Sequence, residues 1–127
     1  MKENEIGDRI IESAIYIHRQ LGPGLLESVY ETILARILTK KGLNVQRQVS
    51  IPIEFEGELF DESFRADQII EGKVIIELKS VEVLHSSHKK QLLTYMKLTK
   101  MKLGYILNFG ESLMKDGIIR TINGVLD

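Results

Sequence analysis

Glu77 and Lys79 stand two residues apart in the run Val74-Ile75-Ile76-Glu77-Leu78-Lys79, and a further acid, Asp67, precedes them across a turn sequence, Glu71-Gly72. Two acids and an amine in this order can hold a divalent cation beside a lysine, provided all three reach one surface. Side chains alternate along a strand, so a strand over residues 73–80 places Ile75, Glu77 and Lys79 on one face and Val74, Ile76 and Leu78 on the other. Folding back at Glu71-Gly72 sets opposite each other residues whose numbers sum to about 143 or 144, which brings Asp67 beside Glu77 or one step from it. The same parity puts Arg65 on the face of Asp67, with Phe64, Ala66 and Ile70 on the reverse.

Two carboxylates about one cross-strand pair apart repel unless a cation shares them, and hard oxygen donors suit Mg²⁺ or Mn²⁺. A lysine amine beside such an ion can orient or deprotonate water, or stabilise charge on a phosphate. The same residue types also furnish an ordinary solvated sheet face with cross-strand ion pairs. Ile69 and Ile75 share the charged face, however, so that face is expected to be covered, and covered charges need partners.

The elements that must position these residues follow from periodicity. Ile6, Ile10, Ile11, Ala14, Ile15 and Ile17 predict an amphipathic helix over residues 6–21, stopped by Gly22-Pro23-Gly24. A second helix is expected over 25–41, with Leu26, Val29, Ile33, Leu34, Ile37 and Leu38 on its buried side and Gly42 at its end. From Val45 the period changes to two, and only Arg47 and Pro52 fall out of pattern before the turn at Gly57; Pro52 favours an edge strand or a bulge. Strands over 59–70 and 73–80 complete a meander. A helix over 85–99 follows, with Leu92, Leu93, Met96 and Leu98 as core contacts, then a buried strand over 103–109 and a short terminal strand around 117–122. The order is helix, helix, three strands, helix, strand.

The chain has 127 residues, 43% of them hydrophobic, which predicts one domain over residues 1–127 with a sizeable core. The absence of cysteine excludes disulfides, thiolate metal sites and cysteine nucleophiles, so any metal must be held by oxygen or imidazole. No apolar run approaches a membrane span, and the mixed charges of the first ten residues differ from a secretory signal, so a cytoplasmic location is expected. A net charge of −1 provides no whole-protein attraction to nucleic acid, but Lys89, Lys90, Lys97, Lys100 and Lys102 lie in a stretch without acids. That patch serves equally as a solvated helix face.

Phe64-Arg65-Ala66-Asp67 together with Glu77-Leu78-Lys79 resembles the D…(D/E)xK signature of the PD-(D/E)XK nuclease superfamily, whose core is helix, three-stranded meander, helix, strand. Gly24-Leu25-Leu26-Glu27-Ser28-Val29-Tyr30 is similar to the motif of the GxxExxY family, small PD-(D/E)XK-like proteins of prokaryotes. The resemblance implies an α/β fold with a restriction-endonuclease-like core, a central mixed four-stranded sheet flanked by helices. It implies Asp67 and Glu77 as metal ligands, Lys79 as the catalytic lysine, and Glu27 as a further acid and ligand from the helix before the meander. Gln91 and Tyr95 match the Q-x-x-x-Y of related nucleases, which helps to position the site. Where the superfamily's name has proline this chain has Ala66, a small apolar residue expected to face the core.

The implied activity is Mg²⁺- or Mn²⁺-dependent hydrolysis of nucleic-acid phosphodiester bonds, with DNA ahead of RNA; oligomeric state is left open, a homodimer being the arrangement small nuclease domains often use to cut both strands. The alternatives are a catalytically silent nuclease-like binding or assembly module and hydrolysis of a smaller phosphate ester. Each supporting residue also has a plainer account. Glu27 suits any helix N-terminus, Tyr30 any core, and Gln91 with Tyr95 any exposed helix. His18, His85 and His88 lack ligand spacing and are expected at the surface, with His88 one turn before Gln91 and bordering the site.

Overall fold

The computed structural model describes the backbone of residues 1–127 and the side chains of all but residues 62 and 63. In chain order it contains α1 (Glu3–Leu21), α2 (Glu27–Lys40), β1 (Val45–Phe55), β2 (Glu58–Ile70), β3 (Val74–Lys79), α3 (Ser86–Thr99), β4 (Leu103–Asn108), a 3₁₀ turn (Met114–Gly117) and β5 (Ile118–Ile122). The strands form one sheet in sequence order. Only β3 and β4 run parallel, joined by α3 as the crossover; the other neighbours are antiparallel. The mixed sheet therefore has five strands rather than the expected four, because the short terminal strand pairs along β4 from Ile118 to Ile122.

Helices cover both faces. Ile6, Ile10, Ala14 and Ile17 of α1 and Tyr30, Leu34 and Leu38 of α2 pack on Val74, Ile76, Leu78, Tyr105 and Leu107. On the reverse, Leu92, Tyr95 and Met96 of α3 pack on Ala66, Ile69, Ile75 and Ile106. The alternation expected along β3 is thus present, with both sets of apolar side chains buried. Two apolar assignments differ. Leu26 and Val29 are exposed, because α2 begins at Glu27 and turns Tyr30, Glu31, Leu34, Ala35 and Leu38 inward. Leu98 is also exposed, its place in the α3 interface taken by Tyr95. No helix is long and apolar enough to cross a membrane among the described residues.

The turn that sets the register is tight. Lys73 donates its backbone N–H to Ile70 O at 3.0 Å, with φ of 54° at Glu71 and 63° at Gly72, the two positive angles of a hairpin turn whose twist matches that of its strands. It pairs Ile70 with Val74, Ile69 with Ile75 and Gln68 with Ile76, the sum of 144.

Parity fails further along the meander. Val45 packs on the α1–α2 side, but Val49 and Ile51 pack on the α3 side. Likewise Ile70 lies on the α1–α2 side, whereas Ala66 and Phe64 lie with Ile69 and Ile75. Both strands turn over where Gln48 adopts a φ of 50°, and the β1–β2 pairing omits Gln48 and Asp67. Phe64 and Ala66 are therefore not on the reverse face, and Arg65 is exposed.

Pro52 behaves as expected, lying in an edge strand where the register shifts between Ile51 and Ile53. Pairing of β1 with β2 continues to Glu58, well past the last β2–β3 pair, so the distal hairpin overhangs the sheet and leaves Phe55 and Leu59 exposed.

Candidate active site

The site forms where β2 parts from β3. Beyond the Gln68–Ile76 pair, side chains replace the backbone ladder. Leu78 donates its N–H to Asp67 Oδ2 at 2.8 Å, and Asp67 donates its own N–H to Glu77 Oε1 at 3.3 Å. Gln48, at the turnover point of β1, adds a side-chain hydrogen bond to Asp67. The kink that breaks strand alternation thus also aims a donor at the acid.

Burial raises the pKa of Glu77, and the neighbouring charge of Asp67 raises it further, to about 8, against the pull of the Asp67 amide and of Lys79. Asp67 is raised as well, chiefly by burial, with the Leu78 amide, Gln48 and Lys79 opposing and the charge of Glu27 adding.

Lys79 lies on the same β3 face, and its charge acts on Asp67, Glu77 and His88. Its carbonyl accepts the N–H of Phe109 at 2.8 Å, which ties the end of β3 to the end of β4. Glu27, the first residue of α2, accepts the backbone N–H of Ser80 on Oε2 at 3.1 Å and acts electrostatically on Asp67 and His88.

From α3 come His88, Gln91 and Tyr95, one stripe of the helix. Gln91 hydrogen-bonds Tyr95, whose pKa is raised by burial and then by the charge of Glu77. Tyr95 also stacks on Phe64. Gln91 therefore reaches the acids through the tyrosine. His88 Nδ1 is buried without a partner, and desolvation, then Lys79 and His85, hold its pKa below the usual value while Glu27 opposes them. His85 is exposed as expected, but His18 is not a surface residue. It is buried, with Nε2 2.8 Å from Glu111 O.

On the α2 side Asp67 opens onto a cleft of about 390 Å³ lined mostly by polar residues, among them Glu27, Glu31, Arg47 and Gln48. Glu31, itself buried, is bound in two-pronged fashion by Arg47, whose Nε lies 3.1 and 3.0 Å from the two carboxylate oxygens. A larger, mostly apolar groove of about 480 Å³, between α1 and α2, includes none of the six expected site residues.

The donors fit a hard divalent ion. They are all oxygens, and an acid pair that retains a proton near neutrality is a pair whose shared positive charge a cation can supply instead. Among the described residues no group of three or more His, Asp or Glu stands in a metal-holding arrangement, so Glu27 does not close on the pair as a third member.

A family model described as the PD-(D/E)XK nuclease superfamily matches residues 4–121. The chain belongs to the PD-(D/E)XK nuclease superfamily. Searches of curated proteins and of solved structures find no match.

In this PD-(D/E)XK chain Asp67, Glu77 and Lys79 lie together on the strands, Tyr95 of α3 meets Gln91 and feels the charge of Glu77, and Glu27 of α2 is held by the Ser80 amide without closing on the pair. Gln48 and Ser80 are additions. Arg47, which breaks the alternation of Val45 and Val49, was the available signal for the first. Ser80 meets Glu27 through its backbone amide, for which residue type carries no signal.

Proposed function

We propose that this protein is a metal-dependent nuclease that hydrolyses phosphodiester bonds in nucleic acid, DNA ahead of RNA. One observation carries the proposal: a carboxyl pair held in place by the sheet's own amides, with the lysine of the same strand beside it. Asp67 and Glu77 would hold Mg²⁺ or Mn²⁺, with Glu27 as the further acid. When bound, such an ion supplies charge neutralisation and Lewis-acid polarisation of a phosphoryl oxygen. Lys79 donates to the attacking water or to a phosphate oxygen as charge builds there. Tyr95, braced by Gln91 and Phe64, keeps the α3 side of Glu77 dry. In the reaction the water oxygen gives up a proton to solvent as it bonds phosphorus, the phosphorus–oxygen bond to the sugar breaks, and the departing oxygen takes a proton from solvent.

The segment Gly24 to Tyr30 supports placing the chain with the GxxExxY family inside the superfamily. The lysines between Lys89 and Lys102, all five exposed, would attract a polyanion locally.

The test is incubation of purified protein with plasmid, linear and single-stranded DNA and with RNA in Mg²⁺ or Mn²⁺, beside Lys79→Ala and Asp67→Ala. Cleavage by wild type alone is expected. Equal cleavage by all three marks contamination and rejects the proposal. A silent binding module is the second reading, favoured by the lack of a three-residue ligand group among the described residues. Under that reading Mn²⁺ titration releases no heat with wild type.

A further inference from the structure

We propose that Tyr30 and Ser80 are positioning residues for Glu27, clamping the loop between α1 and α2 from both sides. The inference rests on Glu27 belonging to the metal site proposed above.

The loop has little to hold it otherwise. Gly22, with a φ of 70°, ends α1, Leu25 is partly exposed and Leu26 largely so, and α2 starts at Glu27 without a side-chain cap. Yet both polar groups of the Leu25 backbone are taken by side chains. Its N–H donates to the Tyr30 hydroxyl at 3.1 Å, and its carbonyl accepts from Ser80 Oγ at 2.7 Å. The Tyr30 hydroxyl in turn donates to Gly22 O at 2.5 Å. One hydroxyl thus ties the end of α1 to the start of α2.

The two clamps have different anchors, and that gives the arrangement its direction. The Tyr30 ring is fully buried and stacked on Phe109, so its hydroxyl is fixed relative to the core. Ser80 directly follows Lys79, and its N–H binds Glu27 Oε2. The exposed acid is therefore fastened to the strand that carries Glu77 and Lys79, while the loop before it is fastened to the core. A long acidic side chain at a helix start samples several rotamers unless something selects one. Here a backbone amide makes that selection, and the clamped loop keeps the helix start in register with it.

The test compares wild type, Tyr30→Phe, Ser80→Ala, Ser80→Thr, Glu27→Gln and the Tyr30→Phe/Glu27→Gln double variant by Mn²⁺ titration calorimetry and by kcat and KM on plasmid DNA. Tyr30→Phe keeps the stacked ring and removes only the hydroxyl. It should weaken Mn²⁺ roughly tenfold and lower kcat with KM little changed, the usual scale for loss of a residue that orients a ligand. Ser80→Ala should do the same and Ser80→Thr restore it.

The decisive readout is non-additivity. A residue that acts through Glu27 has nothing left to position in Glu27→Gln, so the double variant should match Glu27→Gln alone. Additive losses, or a Tyr30→Phe enzyme that binds and cleaves as wild type does, overturn the clamp while leaving the nuclease reading intact. Wild type that neither binds Mn²⁺ nor cleaves overturns that reading and the clamp with it.

Discussion

Asp67 and Glu77 are joined by the Asp67 amide, which donates to Glu77 Oε1 at 3.3 Å, and the charge of Asp67 adds to burial in raising the Glu77 carboxyl. A cation held by this pair would displace the proton of Glu77. Mn²⁺ affinity is expected to rise with pH up to about 8, the pKa of Glu77, by roughly tenfold per unit, and to level off above it. Calorimetric titrations from about pH 6 to about pH 9, in buffers of different ionisation enthalpy, measure both the affinity and the proton released. An affinity independent of pH would refute the coupling.

The same pair makes the metal-free protein sensitive to alkali. Glu77 is raised from 4.5 to about 8 on folding, and Asp67 is raised as well, so between those values the folded chain binds more protons than the unfolded one. Stability is then greatest below about pH 4.5 as far as this group is concerned, and its contribution is lost as pH rises through 8. With chelator present, Tm should be lower at pH 8.5 than at pH 5.5, Glu77→Gln should flatten the difference, and Mn²⁺ should restore the alkaline Tm. A metal-free wild type whose Tm climbs over that interval would contradict the assignment.

Tyr95 has a ring that packs on Phe64 and a hydroxyl that meets Gln91. These roles separate on substitution. Tyr95→Phe should change stability by less than ~1 kcal/mol while slowing cleavage, whereas Tyr95→Ala should cost about 3–5 kcal/mol from the lost core volume. Urea unfolding beside plasmid cleavage distinguishes them, and equal destabilisation by both variants would assign the residue to packing alone.

Gly104 lies where α3 crosses the sheet. A Cβ there would stand 2.7 Å from Met96 Sδ and 3.0 Å from Ile75 Cγ2, so Gly104→Ala should destabilise by about 1–3 kcal/mol. The readout is the urea midpoint. An unchanged midpoint would mean that Met96 yields freely and the interface is looser than its burial indicates.

The course of the chain was readable where local chemistry decides it. Glu71-Gly72 names its own turn, and with it the register that pairs Gln68 with Ile76 and leaves Asp67 and Glu77 next in line. Pro52 announces the irregularity in β1, and the alternation of β3 survives because both its faces are covered by helices. What could not be read was the turnover at Gln48, since glutamine has no marked preference for positive φ and only tertiary demand, the need of Asp67 for a donor, puts it there. Leu26 and Val29 misled for a related reason. Apolar type marks a helix face, but where the first turn begins decides whether that face points inward, and the loop clamped by Tyr30 decides the beginning. His18 was equally opaque, because its partner is a backbone carbonyl far along the chain.

The Leu78 amide on Asp67 Oδ2 gives that acid a task in the sheet besides the chemistry proposed for it. A descendant that abandoned hydrolysis would still need Asp67 to satisfy that amide, so an aspartate retained at this position says little about whether a relative cleaves anything. Lys79 is differently placed: among the described residues its amine makes no hydrogen bond or ion pair, and it acts on the buried acids through its charge alone. Among the chain's kin, the lysine is the residue whose presence should track activity.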